Sequence, residues 1–281
     1  MTSPWRVAVV GGGIVGLSAA VRIAEEVEPG NIHVTVLAEH FSPHTTGDVA
    51  AGFFDPYIIH GVSEEKLRYG SYMISLTIEC KKFLPYLMER LQSRGGRLMQ
   101  CRVKSLEEIA DEYDVIVNCT GFGAGAFVND PKVHAIRGQT IRVHAPWIKH
   151  AIIAGDHFHV IPNIDDVMLG GTADVDETSL IPDRDIASKI WNGCLELAPS
   201  LKNAKVIGHF VGLRPGRNPV RIEREDFTFK HGVGKVPVIH NYGHGGSGIT
   251  IAWGCAGDVV RLVQDSITER SSDWRKTEAN L

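Results

Sequence analysis

An apolar segment at residues 7–10, followed at once by three glycines, constrains the fold more than any other feature of this 281-residue sequence. Gly11, Gly13 and Gly16 have the spacing Gly-x-Gly-x-x-Gly, and the residues at 17–26 predict a helix directly after them. In such a unit the glycines allow a tight turn, the approach of a pyrophosphate to the backbone, and close helix packing. The free N–H groups at the helix N-terminus attract phosphate. The unit therefore predicts a dinucleotide site.

An acidic residue after the next predicted strand supports this interpretation. Residues 32–37 form a second apolar segment, and Glu39 follows it. Glu39 lies roughly 20 residues beyond the glycines, where an acidic side chain binds the ribose of a dinucleotide. A glycine-rich turn without a ligand is the alternative.

The composition narrows the partners that we expect. The formal net charge is −4 and no basic run occurs, which argues against nucleic acid and anionic membranes. No apolar stretch reaches the ~18 residues of a membrane span. The N-terminus opens on a predicted strand, so no signal peptide is expected. The five cysteines are scattered without a Cys-x-x-Cys pair, which predicts buried thiols in a reducing compartment and no metal site.

A second glycine-rich turn, at residues 243–248, directly precedes a helix predicted over 249–263. Its N–H groups and the helix dipole can stabilise a negative charge. In a flavoprotein the pyrimidine end of the reduced flavin carries that charge, and the same donors raise the electron affinity of the flavin. A tight packing turn is the alternative. Two such turns at opposite chain ends favour flavin over nicotinamide.

The order of the predicted elements indicates two lobes. We expect strands at 97–103, 115–119, 139–143, 157–162, 167–170, 206–213 and 238–241, and helices at 81–91, 106–112 and 184–197, the last capped by Asp183. The predicted fold class is α/β, with a discontinuous Rossmann-like FAD-binding domain and a smaller, mainly antiparallel β substrate lobe. The first comprises 1–57, 96–138 and 206–281, and the second 58–95 and 139–205.

Seven stretches in this order resemble the family of D-amino-acid oxidases and D-aspartate oxidases: 7–16, 44–52, 114–121, 137–139, 212–215, 221–225 and 240–246. The resemblance implies an FAD enzyme that oxidises D-amino acids to imino acids. These hydrolyse to 2-oxo acids and ammonia, while dioxygen reoxidises the flavin and gives hydrogen peroxide. The expected partners are therefore a small D-amino acid and dioxygen, with a homodimer as one assembly.

The resemblance also assigns the site residues. Arg214 matches the arginine that binds the substrate carboxylate, and its planar guanidinium suits two parallel bonds to a carboxylate. Tyr57 matches an aromatic residue near the substrate, although a half-buried core tyrosine is the alternative. Ser247 occupies a variable place in the second turn. The predicted cofactor residues are Gly11, Gly13, Ile14, Val15, Gly16, Glu39, Thr45, Thr46, Asp48, Val103, Gly121, Arg214, Gly243, Gly245, Gly246, Ser247, Gly248 and Thr250.

Two departures from the family bear on activity. The chain is shorter than the family norm, and the shortfall falls between Tyr57 and Tyr72, which predicts a shortened substrate lobe. His159 takes a position where the family usually has tyrosine. As a partly charged donor it would suit a second carboxylate and favour acidic substrates such as D-aspartate. An ordinary strand histidine is the alternative.

Other functions stay open at this point. One is an oxidase of neutral D-amino acids, or of glycine or sarcosine. Another is a catalytically impaired FAD-binding variant that lacks part of the substrate lobe. The terminal residues 279–281 resemble a peroxisomal address of the Ser-Lys-Leu kind, with asparagine in place of the basic residue. Without that signal the expected location is the cytoplasm.

Overall fold

The computed structural model describes residues 4–27, 31–50, 75–155, 158–229 and 235–279, with the side chains of 273–279 excepted. In these ranges one sheet contains the strands β1 (Trp5–Val10), β2 (Ile32–Ala38), β3 (Arg97–Gln100), β4 (Val115–Asn118), β5 (His134–His144), β6 (Ile152–Ala154), β7 (Phe158–Pro162), β8 (Val167–Gly170), β9 (Asp174–Val175), β10 (Lys205–Thr228) and β11 (Lys235–His244). The α-helices are α1 (Ile14–Glu26), α2 (Thr46–Val49), α3 (Cys80–Ser93), α4 (Ala124–Phe127), α5 (Arg184–Leu197) and α6 (Gly248–Ala279).

Strand direction divides the sheet into two halves. In the parallel half, β3, β2, β1, β4 and β11 are parallel neighbours in that order. In the antiparallel half, β10, β5, β8, β7 and β6 continue the sheet as antiparallel pairs, and β9 pairs with β5. This arrangement confirms the α/β class, with a Rossmann-like unit joined to a mainly antiparallel lobe.

The helices α1, α3 and α6 share one hydrophobic core with the parallel half. In α3 the fully buried side chains are Leu84, Leu87 and Leu91, whose spacing places them on one helix face. The predicted boundaries put 58–95 in the substrate lobe, whereas the buried face of α3 packs in the core of the parallel half. The leucines find apolar partners on α1 and the sheet there. The other domain boundaries stay predictions.

Helix α5 packs against the antiparallel half. The side chain of Asp183 accepts hydrogen bonds from the backbone N–H groups of Asp185 and Ile186, at 2.8 and 2.9 Å. Ile190 and Cys194 are buried in a separate core with residues of β5, β7 and β8. The predicted cap and extent of this helix are confirmed.

The helix predicted over 106–112 is wrong. Only one 3-10 turn forms there, Leu106–Glu108. Leu106, Ile109 and Ala110 are buried against the sheet, while the acidic residues between and after them are exposed or half-buried. So short a segment gains little from helical hydrogen bonds, and burial of its apolar side chains sets its course instead.

The strand predicted over 206–213 is far longer in the structure, where β10 has 24 residues. Proline cannot donate a ladder hydrogen bond, yet Pro215 and Pro219 both lie within β10. The pairing of β10 with β11 is irregular between Gly216 and Arg221, which accommodates Pro219. The long strand joins the two halves of the sheet.

Candidate cofactor and substrate site

A cleft of about 690 Å³ opens where β1, β2 and β4 end. Ligands of open parallel sheets bind at this edge, where the strands present their carboxyl ends. The volume falls within the range of about 300–1,000 Å³ that is usual for small-molecule sites. The predicted residues that line the cleft are Gly11, Gly13, Ile14, Val15, Gly16, Glu39, Thr45, Thr46, Val103, Gly121, Arg214, Gly245, Gly246 and Gly248.

The first glycine turn has the geometry that a bound pyrophosphate needs. Gly11 has φ +127°, and a Cβ there would overlap the carbonyl oxygen of Cys119. A Cβ on Gly16 would overlap the carbonyl oxygen of Gly11, so the helix can approach the strand only with glycine. Gly13 differs, because no atom of the described residues lies within 4 Å of a Cβ built on it. Its backbone thus lies open at the cleft, at the N-terminus of α1, where phosphate is stabilised.

The second glycine turn lines the same cleft as the first. It connects β11 to α6, with Gly243 at φ +87° and Gly245 at φ +54°. Gly245, Gly246 and Gly248 line the cleft, so the N-terminus of α6 also faces it. Gly243 is fully covered instead, and a Cβ there would lie 2.6 Å from Cβ of Arg217. Among the described residues, Gly243, Ser247 and Thr250 are thus outside the cleft lining, although all three were predicted to contact the cofactor.

Asp48 has a structural contact set. It is buried, accepts hydrogen bonds from Ser42 Oγ at 2.7 Å and from Thr45 N at 2.9 Å and Oγ1 at 2.7 Å, and closes a capping box at α2. Asp48 therefore holds the loop from inside, while Thr45 and Thr46 line the cleft. Asp48, which was predicted to contact the cofactor, is not among the residues that line the cleft.

Glu39 lies at the other end of the cleft and is exposed. Arg102 Nε and His40 Nε2 lie 3.7 and 3.9 Å from its carboxylate oxygens. Sequence reasoning missed Arg102 and Lys104, which also line the cleft. Their place directly after β3, at the same sheet edge as Glu39, is the signal that could have identified them.

Arg214 lies where the cleft meets the antiparallel half. Its Nη1 donates to the carbonyl oxygen of Thr172 at 3.0 Å, and its side chain lines the cleft. The guanidinium lies flat over Gly138 of β5, where any Cβ would overlap it. Gly138 thus gives the guanidinium room, so the register of β5 and β10 sets its position.

His159 lies on the same face of the sheet, over Gly170 of β8, where a Cβ would overlap the imidazole. Burial lowers the pKa of His159 to about 4, and the charge of Arg214 acts in the same direction. Nε2 is buried, and none of the described residues forms a hydrogen bond with it. The partly charged donor that the sequence predicted is therefore wrong, because this imidazole is neutral near pH 7. Tyr57, also predicted to face the substrate, lies outside the described residues.

Among the described residues, no group of three or more histidine, cysteine, aspartate or glutamate side chains is arranged to hold a metal ion. In the same ranges, none of the helices combines the length and apolar character needed to cross a bilayer.

Comparison with known proteins identifies relatives over most of the chain. A family model described as FAD dependent oxidoreductase (DAO) matches residues 6–75 and 59–262. A D-amino acid oxidase of Dugesia ryukyuensis is 34% identical over 326 aligned positions, which cover 92% of this chain and 97% of the relative. A D-aspartate oxidase of Homo sapiens is 32% identical over 329 positions, which cover 93% and 95%. The crystal structure of glycine oxidase from Geobacillus kaustophilus has a TM-score of 0.76 at 13% identity, over 94% and 95% of the two chains, and so shares the fold.

The alignments also show a difference in length. Both contain more positions than the 281 residues of this chain, so each relative has segments that this chain lacks. The two ranges matched by the family model overlap at 59–75, close to the shortfall predicted between Tyr57 and Tyr72. With this family match, and two glycine turns that face one cleft, the chain belongs to the FAD dependent oxidoreductase (DAO) family and is an FAD-dependent enzyme.

Proposed function

We propose that this enzyme catalyses the oxidative deamination of D-amino acids to 2-oxo acids, ammonia and hydrogen peroxide. The observation that carries the proposal is the place of Arg214, a guanidinium in the wall of a cleft that also contains both glycine turns. A half-buried arginine fork binds a carboxylate with paired, charge-assisted hydrogen bonds. The similarity to a D-amino acid oxidase and a D-aspartate oxidase over most of the chain supports the same substrate class.

The residues that line the cleft have separate roles in this proposal. The N–H groups around Gly13 and at the start of α1 would hold the pyrophosphate of FAD, and the turn at Gly245 and Gly246 would face its ring system. When bound, FAD supplies the two-electron redox chemistry. Arg214 binds the substrate carboxylate and so orients the α-carbon toward the cofactor, and such positioning contributes much of the rate.

Among D-amino acids, the proposed preference is for acidic ones such as D-aspartate. His159 is close enough to Arg214 for the positive charge of Arg214 to influence its pKa. A neutral imidazole can still donate one hydrogen bond to a side-chain carboxylate, in either tautomer. Neutral D-amino acids, or glycine and sarcosine, are the alternative substrates on the same fold. An impaired FAD-binding variant is a second candidate function, which the segments missing relative to both relatives favour.

The test begins with the purified protein. Absorption maxima near ~370 and ~450 nm are expected for bound oxidised flavin. Peroxide release is then measured with D-aspartate, D-alanine, D-proline, glycine and sarcosine. D-aspartate should give the highest kcat/KM. A yellow protein that turns over none of these would contradict the oxidase and support the impaired variant.

Arg214→Leu is the variant that tests the carboxylate clamp. It should lower kcat/KM by at least about 100-fold, since a charge-assisted pair is worth about 1.5–3 kcal/mol and positioning adds to it. The flavin spectrum should persist. Arg184→Leu, at the exposed start of α5, is the matched control and should keep full activity. Activity retained in Arg214→Leu would show that another residue binds the carboxylate.

We also propose a peroxisomal location. Residues 280–281 lie outside the described ranges, and the peroxisomal address over 279–281 rests on the sequence alone. A fluorescent protein fused ahead of the full chain should collect in peroxisomes, and deletion of Leu281 should disperse it. Diffuse fluorescence of the full-length fusion would contradict this part.

A further inference from the structure

A hydrogen-bond network of polar side chains extends from the protein surface to the cleft. Asn118, the last residue of β4, and His240 of β11 are both fully buried. Asn118 Nδ2 lies 3.2 Å from His240 Nδ1, and His240 Nε2 lies 3.2 Å from a carboxylate oxygen of Glu225. At the other end, Thr120 donates to Asn118 Oδ1 from its hydroxyl at 2.7 Å and from its backbone N–H at 3.2 Å. Thr120 lines the cleft.

Only one assignment of donors and acceptors is consistent along this hydrogen-bond network. The two hydrogen bonds from Thr120 require Oδ1 of Asn118 on the side of the cleft, which turns the Nδ2 amide group toward His240. Nδ1 of His240 must then accept, so the imidazole proton is on Nε2. Nε2 faces Glu225, a carboxylate that can only accept. Every buried side-chain nitrogen and oxygen of Asn118 and His240 therefore has a hydrogen-bond partner, as expected of a buried network that specifies one arrangement.

We propose that His240 is a positioning residue for the cofactor cleft. Its neutral form with the proton on Nε2 orients the Asn118 amide, which fixes Thr120 and Gly121 in the cleft wall. The inference rests on the proposal that this cleft binds FAD, and it adds a requirement for one histidine tautomer, about which that proposal says nothing.

The same geometry makes FAD affinity depend on pH. A second proton on His240 would sit on Nδ1 and oppose the N–H groups of Asn118, so the amide would have to turn and release Thr120. Burial lowers the pKa of His240, Arg221 acts in the same direction, and Glu225 opposes both. FAD should therefore bind more weakly as pH falls through the pKa of His240. The groups that face this imidazole are Arg221, Glu223, Glu225 and the Phe227 ring from β10, the Tyr242 ring from β11, and Asn118 from β4.

Two substitutions of His240 separate its two hydrogen bonds. The side-chain amide of asparagine reaches the place of Nδ1, and that of glutamine reaches the place of Nε2. His240→Asn can therefore still accept from Asn118, whereas His240→Gln keeps only the contact with Glu225. The dissociation constant of FAD is measured by fluorescence quenching, from pH 5.5 to 8, for the wild type and both variants.

The expected results differ between the variants. His240→Gln should raise the FAD dissociation constant by about tenfold or more, as expected for one lost buried hydrogen bond. His240→Asn should stay within about threefold of the wild type and lose the weakening at low pH. Equal dissociation constants in the two variants, or wild-type pH dependence in His240→Asn, would overturn the inference. A wild type that binds no FAD would instead contradict the proposed function.

A second measurement uses the wild-type protein, so it does not depend on how the His240 variants fold. Nitrogen-15 NMR of the histidine-labelled holoprotein should show the Nε2–H tautomer for His240 at pH 7.5. The Nδ1–H tautomer would overturn the inference. Asn118→Asp places a carboxylate, which can only accept, beside Nδ1, so it should put a proton on Nδ1 of His240. Glu225→Ala is the control, because Asn118 still donates to Nδ1 in that variant, and it should leave the tautomer unchanged.

Discussion

The two halves of the sheet place their functional groups in different ways. In the parallel half, the backbone of two glycine turns lines the cleft. In the antiparallel half, Arg214 and His159 lie across strands and take their positions from glycines on the neighbouring strands. Glycine therefore has two uses in this molecule. It exposes backbone to a ligand in one half, and it gives room to a side chain in the other.

Substitution of Gly16 is the most severe way to test the parallel half. A Cβ in Gly16→Ala would overlap the carbonyl oxygen of Gly11, so α1 must move away from β1 and carry its N–H groups from the phosphate site. FAD affinity should fall by at least about 100-fold, because several charge-assisted bonds of about 1.5–3 kcal/mol each are lost. Fluorescence titration with FAD measures the loss of affinity, and urea unfolding of the same preparation measures the loss of stability that follows from the displaced helix.

Gly13→Ala is the matched control for this prediction. Within the described part of the chain no atom lies within 4 Å of the added Cβ, so stability should change little. The methyl group would enter the space proposed for the pyrophosphate and should weaken FAD binding. Equal loss of stability in both variants would show that the turn does not distinguish packing from ligand contact.

Gly138→Ala tests the antiparallel half in the same manner. The new Cβ would overlap the guanidinium of Arg214, which must leave its place in the cleft wall. A displacement of about 1 Å can lower a rate by roughly 100-fold, so kcat/KM should fall by about that factor. FAD affinity should stay within a few-fold of the wild type. Steady-state peroxide assays and FAD titration check both statements.

The control for that variant is Gly254→Ala in α6. No described residue has an atom within 4 Å of its Cβ, and alanine favours the helix by up to about 1 kcal/mol. Activity should be unchanged. If Gly138→Ala released FAD rather than slowing turnover, the division between the two halves would be wrong.

The same contrast explains what the sequence could predict. The first turn, its strands and α1 are local, since spacing of glycines and apolar residues over about 30 residues specifies the whole unit. Arg214 was identified only through resemblance, because its position depends on the pairing of β10 with β5 across more than 60 residues of chain. The neutral state of His159 could not be predicted, since its pKa reflects burial and a charge from another strand. The length of β10 was missed because the strand continues through two prolines, one of which lies in an irregular part of the pairing with β11.

Asp130 contacts both halves of the sheet, through Arg217 of β10 and Tyr242 of β11. It accepts hydrogen bonds from Arg217 Nε and Tyr242 Oη, each at 2.8 Å, and Arg217 packs beneath Gly243 of the second turn. Burial acts to raise the pKa of Asp130, but these hydrogen bonds outweigh it and hold the pKa at about 2. Asp130→Asn should therefore destabilise the protein by about 1–3 kcal/mol near pH 7.

The pH dependence of this effect has a definite sign. The folded pKa is below the ordinary value, so the contribution of Asp130 is complete above about pH 4 and is lost as pH falls toward 2. Urea unfolding of the wild type and Asp130→Asn should thus converge at low pH. Asp176→Asn, on an exposed turn, is a control that should change stability by less than about 0.5 kcal/mol. A constant difference at all pH values would contradict the role of the charge.

The smallest expected effect concerns His159, which differs from Arg214 in carrying no charge at neutral pH. With a pKa of about 4, His159 stays neutral between pH 6 and 8 and cannot change its interaction with a second carboxylate in that range. The ratio of kcat/KM for D-aspartate to that for D-alanine should therefore vary by less than about twofold from pH 6 to 8. His159→Gln, which keeps a neutral donor, should show the same flat ratio. A ratio that rises several-fold toward pH 6 in the wild type but not in His159→Gln would mean that bound acidic substrate raises the pKa of His159 into this range. The imidazole would then act as a second cation beside Arg214, and the two halves would differ less than the ligand-free geometry indicates.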